Sequence, residues 1–179
     1  FRTLSTTPAN QNVTGGAVTV GAWQHVAGVW DGTKNVLYVN GRPVATNAAA
    51  PTYLPTTTAL LTLGSRSDHA FLYTGALDEP AVYTNALSDA QILAHYEAGT
   101  NPAPATAYST LVQSLNPPGH WRLGNGGNYS ILTATNSGTL GSAINGTYTP
   151  GAPGGLTSAV AGPQPPAFPG FEAANKALQ

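Results

Sequence analysis

The sequence predicts an all-β sandwich in which short strands are joined by tight turns. Glycine and proline number 21 and 15 among 179 residues, and they separate short apolar stretches, as turn residues do between strands. Hydrophobic residues make up 41% of the chain and charged residues only 7%. The chain therefore has the apolar material for a packed core and lacks the high charge of a disordered chain.

Composition also excludes several classes of function. The net charge is −1 and the six lysine and arginine residues are scattered, so no basic patch could neutralise the phosphates of a nucleic acid. No apolar run approaches the roughly 20 residues of a membrane-spanning helix, so we expect no direct membrane insertion. Cysteine is absent, which rules out disulfides, thiolate metal sites and cysteine nucleophiles. Because the chain opens at Phe1 without methionine or a signal peptide, we expect a processed product or a window of a longer polypeptide.

The first 45 residues predict consecutive strands. Residues 1–20 indicate one or two strands around a turn at Gly15-Gly16. Trp23–Trp30 is apolar at both odd and even positions, which predicts a strand covered on both faces. The next three elements are the strand Asn35–Val39, a hairpin turn at Asn40-Gly41, where both residues tolerate positive φ, and the return strand Arg42–Ala45.

Shorter strands and one helix follow a polar loop over residues 46–58. We expect strands at Leu60–Leu63, Ala70–Tyr73 and Ala76–Tyr83. A helix near residues 88–98 is indicated by its start and stop signals. Ser88 and Gln91 form a capping box, Leu87 can pack on Ile92, and Gly99 fits the C-terminal stop.

The C-terminal part differs in character. Thr100–Thr106 is typical of an extended linker, and Tyr108–Leu115 fits a short helix or an amphipathic lead-in. Trp121–Leu123 and Gly146–Tyr148 indicate brief strands, and residues 149–170, rich in proline and glycine, indicate loop.

Catalytic chemistry finds little support. Two carboxylates facing one groove, as a glycosidase needs, would have to occupy alternate positions of a strand. The close pair Asp78 and Glu79 is adjacent instead, so the two side chains are expected on opposite faces. The four histidines lack metal-ligand spacing, and His25 is expected to be a hydrogen-bonded core residue. We therefore predict no catalytic residues and no enzyme activity.

Several separated motifs resemble the LamG-like jelly-roll family, whose members are concanavalin A-like sandwiches. The motifs that carry the resemblance to the C-terminal half of such a domain, across residues 1–99, are Trp23–Ala27, Leu37–Gly41, Gly75–Tyr83, Asn85–Ser88 and Tyr96. Residues 108–179 resemble the N-terminal part of another such domain, with Tyr108–Val112 and Pro118–Gly124 similar to its opening strand and Gly146–Tyr148 to the segment after it. Asn125 stands where the family has an acidic residue, which counts against an inherited metal site there.

The resemblance implies two incomplete jelly rolls, 1–99 and 108–179, joined by a Pro/Ala linker at 100–107. An incomplete sandwich exposes apolar faces and open strand edges unless something covers them. Three arrangements remain open. The chain is a window of a tandem array, or residues 108–179 complete residues 1–99 in the same chain, or they complete a neighbouring chain and so propagate a filament.

The resemblance also suggests site residues. LamG-like folds often carry calcium through carboxylate and backbone oxygens, and Asp78 and Asp68 are the candidate ligands. The alternative for Asp78 is an acceptor of backbone hydrogen bonds. No other cofactor is expected.

Sugar binding commonly uses an exposed aromatic face beside amide groups. Tyr53, Tyr73 and Asn47 lie in or near predicted loops and are the candidate sugar-binding residues. The three tryptophans, Trp23, Trp30 and Trp121, are expected in the core. Asn12, Asn128 and Asn145 fit the N-glycosylation pattern.

The predicted function is a non-catalytic adhesion or glycan-binding module of a large, repeat-containing protein at a bacterial cell surface. Expected partners are glycans or surface glycoproteins and neighbouring copies of the chain. The alternatives are a structural subunit of an extracellular filament or array and an accessory domain of a secreted glycoside hydrolase.

Overall fold

A computed structural model describes residues 2–6, 9–48, 60–66, 71–124, 133–148 and 160–179, with side chains from residue 12 onward. The chain forms two units. The first comprises Phe1–Thr58 and Asn85–Glu97, and the second comprises Ala59–Thr84 and Ala98–Gln179. No helix in these described ranges is long and apolar enough to span a bilayer.

The first unit contains two antiparallel sheets. One is a pair, β1 (Arg2–Thr6) with β2 (Ala9–Asn12). The other has three strands in the order β3 (Val26–Trp30), β4 (Asn35–Val39), β5 (Arg42–Asn47). The predicted strand at Trp23 thus begins three residues later.

Residues 1–20 contain two strands, as predicted, but the turn expected at Gly15-Gly16 does not lie between them, because β1 and β2 pair before it. These glycines instead allow the backbone to approach the sheet. A Cβ atom on Gly15 would lie 2.8 Å from the Cβ of Ala45, and one on Gly16 would lie 2.9 Å from Cγ2 of Val39. The glycine pair is therefore required by close approach and not by a turn between strands.

The hairpin between β4 and β5 is confirmed. Asn40 and Gly41 have φ values of 51° and 75°, the left-handed pair that a two-residue hairpin turn requires. Asn40 also joins this turn to the start of β3, since its Oδ1 accepts the His25 N–H at 3.0 Å and its own N–H donates to the His25 carbonyl at 2.8 Å.

The core of the first unit lies between the sheet and a helix. Val36, Tyr38 and Ile92 are buried together, and the half-buried residues packed on them are Ala27, Val29 and Leu87. On the opposite face of β3, Val26 is 62% exposed. The prediction that β3 is covered on both faces is therefore wrong, because the helix covers only the face that carries Ala27 and Val29.

The helix α1 (Asp89–Thr100) begins at the predicted capping box. The Ser88 N–H donates to Gln91 Oε1 at 2.9 Å, and the Gln91 N–H donates to Ser88 Oγ at 3.3 Å. Leu87 and Ile92 pack in the same cluster, as the staple predicts.

The predicted helix stop at Gly99 is wrong, since α1 continues to Thr100. Gly99 lies instead at a crowded contact, where a Cβ atom would meet Cε2 of Phe171 at 3.0 Å. Its carbonyl also accepts the Gly170 N–H at 3.2 Å. Tertiary packing therefore explains this glycine.

The second unit consists of short elements. They are β6 (Ala81–Val82), α2 (Tyr108–Ser114), β7 (Gly119–His120), β8 (Thr133–Ala134), a 3₁₀ turn (Gly141–Ile144), β9 (Gly146–Thr147), β10 (Val160–Ala161) and β11 (Lys176–Ala177). The antiparallel pairs are β6 with β7, β8 with β9 and β10 with β11. The isolated bridges join Leu77 to Leu178 and Trp121 to Asn136.

Several local expectations for this unit are wrong. The opening strand that the resemblance implies at Tyr108–Val112 does not form, because these residues are helical in α2, which confirms the alternative of a short helix there. Leu60–Leu63 forms no strand, and its three leucines are exposed. Ala76–Tyr83 contributes only the two residues of β6 and the bridge at Leu77. Position 70 lies outside the described residues, and 71–73 form no strand.

Two clusters form the core of the second unit. Trp121, Leu123, Ala134 and Tyr148 form one, and Ala98, Tyr108 and Val112 form the other. The Tyr108 ring stacks on Phe171 with 4.6 Å between centroids. The pairings of β6 with β7 and of Leu77 with Leu178 join chain segments before and after the 100–107 linker. The division into two partial jelly rolls stays a prediction.

Candidate functional site

Glu79 lies buried at the centre of a network of ionisable side chains that reaches the surface at Glu172. It is only 6% exposed and has a φ of 50°, a left-handed conformation that glutamate rarely adopts. Its Oε2 lies 2.5 Å from Nε2 of His120, and its Oε1 accepts Nε of Arg122 at 2.7 Å. Arg122 in turn donates through Nη2 to both carboxylate oxygens of Glu172, at 2.8 and 2.9 Å.

The other side of His120 is also occupied. Its Nδ1 lies 2.7 Å from Nε2 of Gln113, and its backbone N–H donates to Oδ1 of Asn136 at 2.7 Å. Asn136 uses its amide group as well, donating to the carbonyls of Pro118 and Gly141 at 3.1 and 3.0 Å. Buried polar groups with satisfied hydrogen bonds specify the packing of the short strands around them. The carboxylate oxygens of Glu79 and both ring nitrogens of His120 already have partners in this network.

Asp78 faces a second polar partner. Its Oδ2 accepts Nδ2 of Asn175 at 2.6 Å, and its Oδ1 accepts the Glu79 N–H at 3.0 Å. Burial raises the pKa of Asp78 to about 7, although the Asn175 hydrogen bond opposes this shift. Both carboxylate oxygens therefore accept an N–H group, one from the backbone of Glu79 and one from the side chain of Asn175.

Within the described ranges, no group of three or more His, Cys, Asp or Glu side chains could hold a metal ion. Asp68 lies outside the described residues. Calcium binding by Asp78 stays a prediction, which would require Asn175 to turn its amide nitrogen away.

The first unit buries two imidazoles beside each other. The rings of His25 and His95 are edge to face, with centroids 6.2 Å apart. Burial, followed by the proximity of His95, lowers the pKa of His25 to about 4. Nδ1 of His25 is buried without a hydrogen bond. The prediction of a core position holds in part: the backbone of His25 is hydrogen-bonded to Asn40, whereas Nδ1 is not.

An exposed aromatic surface lies in the second unit, and we define it by Arg66, Phe71, Leu72 and Tyr73. Phe71 is 79% exposed, Leu72 54% and Tyr73 56%. The Arg66 guanidinium lies 4.7 Å from the centre of the Phe71 ring, close enough for a cation–π contact.

Backbone geometry fixes both aromatic residues of this surface. Phe71 has a φ of 54°, a left-handed conformation that costs a bulky residue roughly 1–2 kcal/mol. The Tyr73 N–H donates to the Gly64 carbonyl at 2.7 Å. A Cβ atom on Gly75 would lie 2.7 Å from Oη of Tyr73, so the ring is folded against a position where only glycine leaves room.

The other predicted site residues are placed as follows. Asn47 ends β5 in the first unit, and its Nδ2 donates to the Asn12 carbonyl at 3.2 Å. Asn12 and Asn145 are exposed, and Oδ1 of Asn145 accepts the Asn136 N–H at 2.9 Å. Tyr53 and Asn128 lie outside the described residues. Sugar binding at Tyr73 and Asn47 and glycosylation stay predictions.

Sequence reasoning missed Phe71 because it assigned this residue to a strand, and no pattern in the sequence singled out Arg66. In that strand Phe71 and Tyr73 would have shared one face, which was a usable signal for a joint surface. The tryptophans fit the expected core to different degrees: Trp121 is 7% exposed, and Trp23 and Trp30 are half-buried.

A comparison with family models identifies one superfamily. A family model described as the concanavalin A-like lectin/glucanases superfamily matches residues 1–93. A solved structure of an S-layer domain-containing protein from Clostridium thermocellum is similar, at 26% sequence identity and a TM-score of 0.40. The similarity covers 50% of this chain and 46% of that one, so this chain spans less than half of that structure. Curated proteins gave no match.

Proposed function

Because the chain belongs to the concanavalin A-like lectin/glucanase superfamily, we propose that it is a non-catalytic, extracellular module that binds glycans for a large, repeat-containing surface protein. The observation that carries the proposal is the exposed aromatic surface. Phe71 presents its ring to solvent from a left-handed backbone conformation. Strained, exposed positions of this kind concentrate at functional sites.

The chemistry of this surface suits a sugar. Aromatic rings pack against the apolar face of a pyranose, and Tyr73 adds a hydroxyl group that can hydrogen-bond the sugar. The Arg66 guanidinium beside Phe71 supplies N–H donors for hydroxyl or carboxylate oxygens. The buried carboxylates Asp78 and Glu79 are engaged by N–H donors and by His120, which supports binding without hydrolysis.

The test is binding of the full chain to a glycan array, followed by titration of the best glycan. We expect Phe71→Ala and Tyr73→Ala each to weaken binding about tenfold, which corresponds to ~1.4 kcal/mol. The matched control is Leu140→Ala, because Leu140 is 54% exposed and lies outside the aromatic surface. Glycan binding that survives both aromatic substitutions would place the site elsewhere, and sugar release from polysaccharides would contradict a non-catalytic module.

A second candidate function is a structural subunit of an extracellular filament or array. It is favoured by the outer edge of β3, where Val26 is exposed and no further strand of the described residues pairs. Open edges can accept a strand from another molecule. Defined polymers in electron micrographs that dissociate only in denaturant would favour this function over glycan binding.

A further inference from the structure

Residues 101–107 join the end of α1 to the start of α2 through a segment that is neither helix nor strand. All of these residues except Pro104 are exposed. Their hydrogen bonds to other described residues are local, since the Ala103 N–H donates within the segment and the Ala107 carbonyl accepts the Leu111 N–H, each at 3.0 Å. Exposed segments of small residues with few tertiary contacts are where endopeptidases cut.

Backbone pairings connect the chain before this segment with the chain after it. β6 pairs with β7, and next to them the Trp121 N–H donates to the Pro80 carbonyl at 3.0 Å. Leu77 and Leu178 exchange two backbone hydrogen bonds, at 2.7 and 3.0 Å. All of these residues lie outside 101–107, so the pairings do not require the peptide bonds of that segment.

The buried carboxylates before the segment have partners after it. Glu79, only 6% exposed, engages Nε2 of His120 at 2.5 Å and Nε of Arg122 at 2.7 Å. Asp78 accepts Nδ2 of Asn175 at 2.6 Å. Hydrogen bonds to a charged group are roughly twice as strong as those between neutral groups. The two parts of the chain therefore recognise each other by charge as well as by backbone pairing.

Apolar packing spans the same division. Leu77 packs against a cluster of residues that follow the segment, namely Trp121, Leu123, Ala134 and Tyr148. Ala98, in the last turn of α1, is buried with Tyr108 and Val112. Gly170 approaches this turn so closely that a Cβ atom there would overlap the Ala98 carbonyl oxygen, an approach that requires glycine. The two parts of the chain therefore contribute to the same apolar clusters.

We propose that residues 101–107 are a processing site, at which an endopeptidase converts the chain into two pieces that stay bound to each other. Hydrolysis of one peptide bond consumes one water molecule and leaves a new carboxylate and a new amino group. Both groups lie in an exposed segment, so neither charge has to be buried. The first piece then carries Glu79, and the second carries its partners His120 and Arg122.

The first test is limited proteolysis of the full chain with elastase, which cleaves after small residues. The segment offers alanine at positions 103, 105 and 107. We expect a new amino terminus after one of these alanines. Native mass spectrometry should then find the two pieces together at the 18.2 kDa of the chain, and strong denaturant should separate them. The proposal is overturned if elastase spares residues 101–107, or if the pieces separate without denaturant.

A second variant confines the cut to this segment. The recognition sequence of a site-specific protease takes the place of residues 101–107, so that cuts elsewhere in the chain cannot account for the result. After complete cleavage, the two pieces should still sediment as one species at micromolar concentration. Two separate species would contradict the proposal.

Charge recognition between the pieces is tested in the cut chain. Glu79→Gln should raise the dissociation constant of the two pieces at least tenfold, because glutamine offers one oxygen and no charge to His120 and Arg122. Glu97→Gln is the matched control, since it removes the same charge from an exposed position of α1. Sedimentation of a dilution series, in urea that leaves the uncut variants folded, measures both constants. Equal constants would show that Glu79 does not hold the pieces together.

The proposal goes beyond glycan binding and fails separately from it. Phe71→Ala, which should weaken glycan binding, should leave the cut pieces associated, because the Phe71 side chain is 79% exposed. Pieces that separate after cutting would leave glycan binding by the uncut chain unaffected.

Discussion

At the scale of single residues, Gly75 governs the proposed sugar surface through Tyr73. We predict that Gly75→Ala weakens glycan binding about as much as Tyr73→Ala, because the new methyl group would lie 2.7 Å from Oη of Tyr73 and displace the ring. Titration of the same glycan measures the effect. Gly141→Ala is the control, since Gly141 also has positive φ but a Cβ atom there meets nothing within 4 Å. If Gly75→Ala and the wild type bind the glycan with equal affinity, the orientation of the Tyr73 ring does not affect binding.

Asp78 is the residue whose burial opposes stability at neutral pH. Its pKa is raised from 3.8 to about 7, so the folded carboxyl keeps its proton where the unfolded one has lost it. Stability from this group is therefore present below pH 3.8 and is lost as pH rises through 7.

We predict that Asp78→Asn changes the sign of its effect with pH. At pH 8 the variant should melt at a higher temperature than the wild type. Its free energy of unfolding should be larger by roughly 1–3 kcal/mol, because the substitution removes a desolvated charge. At pH 4 it should melt at or below the wild type, because the two donors address different oxygens of Asp78 and the NH₂ group of asparagine would face one of them. Thermal melts of the variant and the wild type at the two pH values measure this effect. If the stability difference between the two proteins does not depend on pH, the Asp78 carboxyl is solvated in the folded state.

At the scale of elements, the start of α1 depends on one hydroxyl. We predict that Ser88→Ala costs about 1 kcal/mol, the usual effect of removing an N-cap, because the Gln91 N–H loses its acceptor. Denaturant unfolding monitored by circular dichroism measures the change. Ser142→Ala, at an exposed position in the 3₁₀ turn, should change stability by less than about 0.5 kcal/mol. Equal losses in both variants would argue against the capping box.

Elements with local signals are the ones that could be predicted from the sequence. Asn35–Val39 is an apolar run that ends in the turn residues Asn40-Gly41, and α1 carries its cap. The two-residue strands β6 and β7 form only because residues far apart in the chain meet, through Glu79 and His120 among others. No periodicity within two residues can announce such a pairing.

The candidate site was harder to predict for the same reason. Tyr73 was identifiable as an aromatic residue near a turn, but its partner Phe71 is exposed by a left-handed φ that an apolar strand pattern does not predict. Asp78 stood out as a carboxylate. Its amide partner Asn175 lies 97 positions away and could be identified only from the fold.

At the scale of the whole molecule, the two units carry buried groups with opposite responses to pH. In the first unit the pKa of His25 is lowered from 6.5 to about 4, so the unfolded state takes up a proton first as the solution is acidified. That unit therefore loses up to about 3 kcal/mol between pH 6.5 and 4. In the second unit Asp78 has the reverse effect, because its raised pKa makes the folded state the better proton acceptor between pH 7 and 4.

We predict that acidification from pH 7 to 4 lowers the melting temperature of the first unit while it raises or preserves that of the second. Tryptophan fluorescence can follow each unit, since Trp23 and Trp30 belong to the first and Trp121 to the second. Trp121→Phe leaves only the probes of the first unit, and the double variant Trp23→Phe/Trp30→Phe leaves only that of the second, so each substitution disturbs the unit that is not being followed. His25→Gln should flatten the first pH response and Asp78→Asn the second. If both probes instead shift together by the same amount, the two units unfold as one cooperative body, and the stability set by His25 is shared with the unit that carries the proposed sugar surface.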